Sequence, residues 1–222
     1  MLGSLGGSDH TCRELANTAG CVVVSVDYRL APEHKFPAGL RDCDAVYQWA
    51  LANAASFAGD PTRVAVGGDS AGAGLTLALI SRLRDAHEEL PACAWLISPW
   101  TDLTMSGSTL VRKAAVDPLI HKEYLNELAD AYLPAGMDRK DPRVSPLYAD
   151  FRNFPPTLIQ IGSDETLLDD ATRLAARAGA ADVRVTLEIW PHMIHAWPLW
   201  NAHLEDGRRA LANAGAFIRA HL

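Results

Sequence analysis

The chain has little that would serve a metal, a membrane or a nucleic acid. Its 222 residues include only four cysteines, Cys12, Cys21, Cys43 and Cys93, and no two of them form a C-x-x-C pair. Metal-site spacing is missing, and the scattered thiols read as small buried hydrophobes of a protein in a reducing cytoplasm. No apolar run is long enough to span a bilayer, and no basic segment precedes an apolar stretch. Neither a membrane span nor a secretory leader is therefore expected. Positive charge is in short supply: 20 Lys and Arg stand against 27 Asp and Glu, a formal net charge of -7. That balance argues against nucleic acid or an anionic membrane surface as a partner. Internal repeats and low-complexity tracts are absent. What remains is an ordinary globular composition, 49% hydrophobic and 21% charged, long enough for one domain, residues 1–222, with a substantial core.

Apolar, β-branched runs alternate with helical patterns, which predicts an α/β fold with a largely parallel sheet. Helices are expected over residues 9–19, 40–55, 74–85, 169–178 and 207–222. The second rests on Ala45, Val46, Trp49 and Ala52 at helical spacing, the last on Leu211, Ala214 and Ile218. Strands are expected over 21–28, 63–66, 93–97, 157–161 and 184–189. Residues 29–39, with Pro32 and Pro37, read as a loop. The stretch 98–156 is long for a connection and holds two amphipathic helical segments, near 118–123 and 127–133. It is a candidate for lining a substrate pocket. The chemically suggestive residues all follow the C-terminal ends of strands, where open parallel sheets place their sites.

The most informative stretch is Val64-Ala-Val-Gly-Gly-Asp-Ser-Ala-Gly-Ala-Gly74. It reads as a buried strand, a tight glycine turn and the start of a small-residue helix. Within it, Gly68-Asp69-Ser70-Ala71-Gly72 fits the nucleophile elbow G-x-S-x-G, in which the glycines leave room for a sharp turn that lifts the serine out. A serine hydroxyl needs a base to take its proton, usually a histidine held by a carboxylate. In α/β-hydrolases the chain order is serine, acid, histidine, and this chain supplies it. Asp164, just beyond the 157–161 strand, is the candidate acid, with Glu165, Asp169 and Asp170 as nearby alternatives. Asp169 and Asp170 suit the first turn of the following helix. His195, beyond the 184–189 strand, is the candidate base, with His192 as competitor. The two histidines are three apart, but no metal-like cluster accompanies them, so no metal and no cofactor are expected. The oxyanion formed on attack needs backbone N–H donors, and Ala71, next to the serine, supplies one.

Taken together, these residues resemble the bacterial hormone-sensitive-lipase-like family of carboxylesterases. The matching pieces are Val26-Asp-Tyr-Arg-Leu-Ala-Pro-Glu-His34, Phe36-Pro-Ala38, Gly67-Gly-Asp-Ser-Ala-Gly72, Ser98-Pro-Trp-Thr-Asp102, Asp141-Pro-Arg-Val-Ser-Pro-Leu147, Gly162-Ser-Asp-Glu-Thr-Leu167 and His192-Met-Ile-His195. The resemblance implies an α/β-hydrolase fold and hydrolysis of small carboxylic esters of short to medium acyl chains, without metal or cofactor. It implies Ser70 as nucleophile, Asp164 as acid and His195 as base, with Asp69 shaping the elbow and Glu33 and His34 organising a nearby loop. Trp100, Trp190, Trp197 and Trp200 flank the candidate segments, as pocket lining or as ordinary packing.

The departure is at the start. The family carries a histidine and glycines, an HGGG-type loop that donates two oxyanion-hole N–H groups. Here Leu2-Gly-Ser-Leu5 resembles what normally follows that loop. The expected fold therefore lacks N-terminal strands and a cap. In the family's sheet a strand lies between those expected at 21–28 and 63–66, and its loss would leave two interior edges unpaired. Three repairs are expected alternatives: direct pairing of the two strands, a homo-oligomer covering the edge, or a natural gene that begins earlier. Two other functions compete with esterase action. One is a catalytically weak or inactive hydrolase-like binding protein; the other is amidase or thioesterase chemistry on the same scaffold.

Overall fold

The computed structural model describes residues 5–222. The reading of residues 2–4 as the end of a glycine loop lies outside the described residues. Four short strands form the sheet: β1 (Ala65–Asp69), β2 (Cys93–Ile97), β3 (Thr157–Gly162) and β4 (Val185–Trp190). They lie side by side in chain order and are all parallel, with Gly68 opposite Leu96 and Leu96 opposite Ile159. The two central strands are buried along their whole length. Their sequences, Cys-Ala-Trp-Leu-Ile and Thr-Leu-Ile-Gln-Ile-Gly, have almost no polar positions, as a strand covered on both faces requires.

Seven helices are described: α1 (Leu5–Ala19), α2 (Ala38–Asn53), α3 (Ala71–Asp85), the single turn α4 (Thr109–Arg112), α5 (Lys122–Tyr132), α6 (Leu168–Gly179) and α7 (Glu205–His221). The period-2 alternation of the strands sorts them into layers. Ala94, Leu96, Ile159 and Ile161 point into the larger core, with Leu77 and Leu83 of α3 and Leu174 of α6. Trp95, Ile97 and Leu158 point the other way, onto Leu211 and Ala214 of α7, with Leu15 of α1 beside them. Fully burying a leucine or isoleucine of this kind stabilises by about 1.5–3 kcal/mol. The core therefore fixes the strand ends from which the site is built.

Two sequence expectations are corrected. Residues 21–28 form no strand in the sheet: they run extended beyond β1, whose ladder is made with β2 alone. Valine-rich composition sets the extended conformation, but a strand needs a neighbour for its backbone groups. The two helical segments near 118–123 and 127–133 are one helix, α5, preceded by a turn. Asp117 Oδ1 accepts the backbone N–H groups of Leu119 and Ile120, both at 3.0 Å, which holds this stretch out of a helix. All four cysteines are free, and burial pushes the Cys93 thiol up to about 12. None of the described helices is long and apolar enough to cross a membrane.

Candidate active site

Ser70 stands between the end of β1 and the start of α3, with φ 53° and ψ -116°. A left-handed φ is costly for a residue with a side chain and persists only where the surroundings impose it. Here they do. The Ser70 N–H donates to the Ile97 carbonyl at 2.8 Å, and the Trp100 N–H donates to the Ser70 carbonyl at 3.1 Å. A methyl on Gly68 would sit 2.4 Å from the Gly72 carbonyl carbon, so only glycine lets the chain fold back so tightly. Ser70 occupies the N-cap position of α3 without capping it through its side chain. Its hydroxyl is thus not spent on the helix. The free first-turn N–H groups of α3, beginning with Ala71, lie next to it.

His195 follows β4 and is 8% exposed. Its Nδ1 is 3.0 Å from Oε2 of Glu165, a carboxylate with no exposed surface. The other carboxylate oxygen of Glu165 accepts the Ser98 hydroxyl at 2.7 Å and the Gly162 N–H at 2.6 Å. Ser98, itself at φ 45°, accepts the Ala196 N–H at 2.9 Å through its hydroxyl oxygen. One serine at the end of β2 therefore ties the buried acid to the residue following the histidine. With Nδ1–H donated to Glu165, the opposite ring nitrogen is left to accept a proton.

The expectation that Asp164 holds His195 is corrected. Asp164 faces outward, 3.7 Å from Lys113 Nζ and 3.5 Å from Nδ1 of His192, whose side chain is 87% exposed. Successive residues beyond a strand project in different directions, and it is the next residue, Glu165, that turns inward. Asp169 and Asp170 sit in the first turn of α6, as expected, but they do structural work on the 98–109 loop. Asp170 Oδ2 accepts the N–H groups of Thr101 at 2.8 Å and Asp102 at 3.0 Å. Burial pushes the Asp170 carboxyl up to about 6, against the pull of those donors and of Arg173. Burial likewise raises the Asp69 carboxyl, opposed by the charge of nearby His195.

Ser70, Ala71 and His195 line one cavity of about 1580 Å³. The long 98–156 stretch contributes Trp100, Leu119 and Tyr124 to its lining. Trp200 also faces this space, whereas Trp197 is fully buried and packs against the Trp190 ring at 5.9 Å. Glu33 and His34 are exposed, in a loop pinned by Arg29 to Asp42 at 2.8 Å and by Lys35 to the Leu133 carbonyl at 2.9 Å.

A sequence profile described as alpha/beta hydrolase fold matches residues 1–199. The chain belongs to the α/β-hydrolase fold family. Among its curated relatives, an acetyl-hydrolase of Streptomyces hygroscopicus is 42% identical over 218 residues, covering 98% of this chain and 71% of the relative. An esterase of Acinetobacter venetianus is 37% identical, covering 98% and 70%. The crystal structure of an esterase from the bacterial hormone-sensitive lipase family superposes with a TM-score of 0.94 at 43% identity, covering 99% of this chain and 72% of that one. Within this α/β-hydrolase, each strand end contributes one group: Ser70 after β1, Ser98 after β2, Glu165 after β3 and His195 after β4. Sequence reasoning missed Ser98 as a linking residue and left Glu165 as an alternative. The only signal for either was membership of the quoted motifs.

Proposed function

We propose that this protein is a carboxylesterase that hydrolyses small esters of short to medium acyl chains through an acyl-enzyme. Ser70 is the nucleophile, His195 the general base and then general acid, and Glu165 the carboxylate that orients His195 and stabilises its charged form. The observation that carries the reading is the buried Glu165–His195 pair opening onto the same cavity as a hydroxyl held at a strained turn. The esterase and acetyl-hydrolase activities of the relatives agree with it.

Ser70 Oγ attacks the ester carbonyl carbon as its proton passes to the free ring nitrogen of His195. The carbonyl oxygen becomes an oxyanion, stabilised by the Ala71 N–H at the positive end of α3. Collapse breaks the carbon–oxygen bond to the alcohol, which leaves with the proton from His195. A water then gives its proton to His195 and attacks the acyl-enzyme, and the carboxylic acid departs as Ser70 regains its hydrogen. One further oxyanion donor is worth about 10²–10³ in rate, so activity depends on how completely that position is furnished.

The test is hydrolysis of a short-chain nitrophenyl ester by the protein and by its Ser70→Ala variant. Turnover abolished by the substitution is expected. Equal rates in folded samples of both would overturn the reading and favour a binding protein.

A further inference from the structure

We propose that the slot between residues 21–28 and β1 is a docking site for one extended peptide strand, supplied by polypeptide outside residues 5–222. Residues 21–28 form one wall of the large cavity and Val64 to Ser70 the other. The first wall runs alongside β1 in the same direction. Cys21 packs with Ala65 and Cys93 at the start of the sheet, while Tyr28 lies close enough to Asp69 to feel its charge. Both walls present unused backbone. Residues 22–28 belong to no ladder among the described residues, and β1 pairs on one side only. Val22 is 60% and Val24 44% exposed, and β1 is half-buried where β2 and β3 are fully buried.

Two facing rows of N–H and C=O groups, repeating along parallel extended chains, are complementary to a third extended chain and to little else. A helix satisfies its own backbone groups and a small molecule lacks the repeat. The walls are five to eight residues long, which at about 3.3 Å per residue accepts a strand of roughly six residues. The side walls are Val66, Leu75 and Leu79 on one part and Val23 and Val26 on another, so alternate residues of the guest are apolar. A second copy of this chain is a poor guest. Its one unpaired extended stretch among the described residues is 21–28, and in each copy that stretch is already the wall. The relatives are longer than the part this chain matches, so further polypeptide accompanies this fold elsewhere.

The test is backbone amide exchange, followed by mass spectrometry, with a capped six-residue peptide of alternating valine and threonine ending in glycine. The control is the same peptide N-methylated at alternate residues, which removes its donors. At a concentration about ten times its dissociation constant the parent peptide is expected to slow exchange about tenfold in residues 22–28 and 65–69, and not elsewhere. The methylated peptide is expected to leave both segments unchanged. Unchanged exchange with millimolar parent peptide would overturn the proposal, as would equal protection by both peptides. So would protection already present in the free protein, whether constant (direct pairing of the two walls) or rising with protein concentration (a second copy). None of these readouts depends on turnover at Ser70.

Discussion

Gly162 and Met193 cross so closely that a methyl group on Gly162 would lie 2.0 Å from the Met193 carbonyl oxygen. Gly162 ends β3, and its N–H holds Glu165; Met193 lies between the two loop histidines and accepts the Asp164 N–H at 3.2 Å. The contact therefore sets how near the acid-bearing loop comes to the histidine-bearing loop. Gly162→Ala must push them apart. A loss of stability of at least about 2 kcal/mol is expected, toward the upper end for overpacking, measurable as a lower urea midpoint. Surviving folded protein is expected to have lost most of its turnover.

Two adjacent acids separate cleanly by mutation. Glu165→Gln keeps the shape beside His195 but removes the charge and disturbs the tautomer. A loss of about 10⁴ in kcat is expected, the scale found when the acid of a serine triad is replaced by its amide. Asp164→Asn touches only exposed partners and is expected to change stability by no more than about 0.5 kcal/mol, with turnover close to that of the parent. Ester hydrolysis by the two variants, side by side, checks both statements. A reversed order would return the role to Asp164.

That pair marks where the sequence ran out. Strands 93–97 and 157–161, the elbow at Ser70 and His195 were legible because each depends on a local pattern: an apolar run, a glycine turn, a histidine beyond a strand. Asp164 and Glu165 are chemically equivalent neighbours, and only the direction of each side chain, fixed by the Gly162–Met193 crossing and by Ser98, distinguishes them. The segment 21–28 failed for a different reason. Its valines specify an extended backbone correctly, but being a strand is a property of two segments, and the second is not encoded nearby. Asp117 turned 118–123 away from a helix through hydrogen bonds that a hydrophobic pattern does not contain.

Ser98→Ala probes the link between acid and base loops. Its hydroxyl donates to Glu165 and accepts from Ala196, so the variant leaves one carboxylate oxygen short of a donor and one buried N–H without an acceptor. A cost of about 1.5–3 kcal/mol is expected for a hydrogen bond to a charged group, read from denaturant melts. As the linkage positions His195 without touching substrate, kcat is expected to fall while KM stays near its original value. A fall in stability alone would make Ser98 purely structural.

Acid sensitivity is expected to depend on Asp102. Burial alone would raise this carboxyl, but hydrogen bonds from Ser106 and Thr104 and the Arg173 charge outweigh it and hold it below its ordinary 3.8. A carboxyl depressed in the folded state stabilises the fold above the unfolded value and loses that contribution as pH falls through the folded one. The stability difference between the parent and Asp102→Asn should therefore be constant near neutrality and shrink below about pH 4. Melts of both proteins between pH 3 and pH 7 measure it. Asp170, raised by burial, works in the opposite direction and is common to both proteins, so the difference isolates Asp102.

The serine rides on the less protected part of the sheet. β2 and β3 are sealed on both faces and paired on both edges, whereas β1 has one neighbour and only half its surface covered. Opening is easiest where buried contacts and paired backbone are fewest. Ser70, the Ala71 N–H and the turn between them are thus fastened to the strand that frays first, while Glu165 hangs from the strand that yields last. On warming, chemistry at this site fails before the fold does, and the temperature at which turnover disappears lies below the one at which the central strands let go.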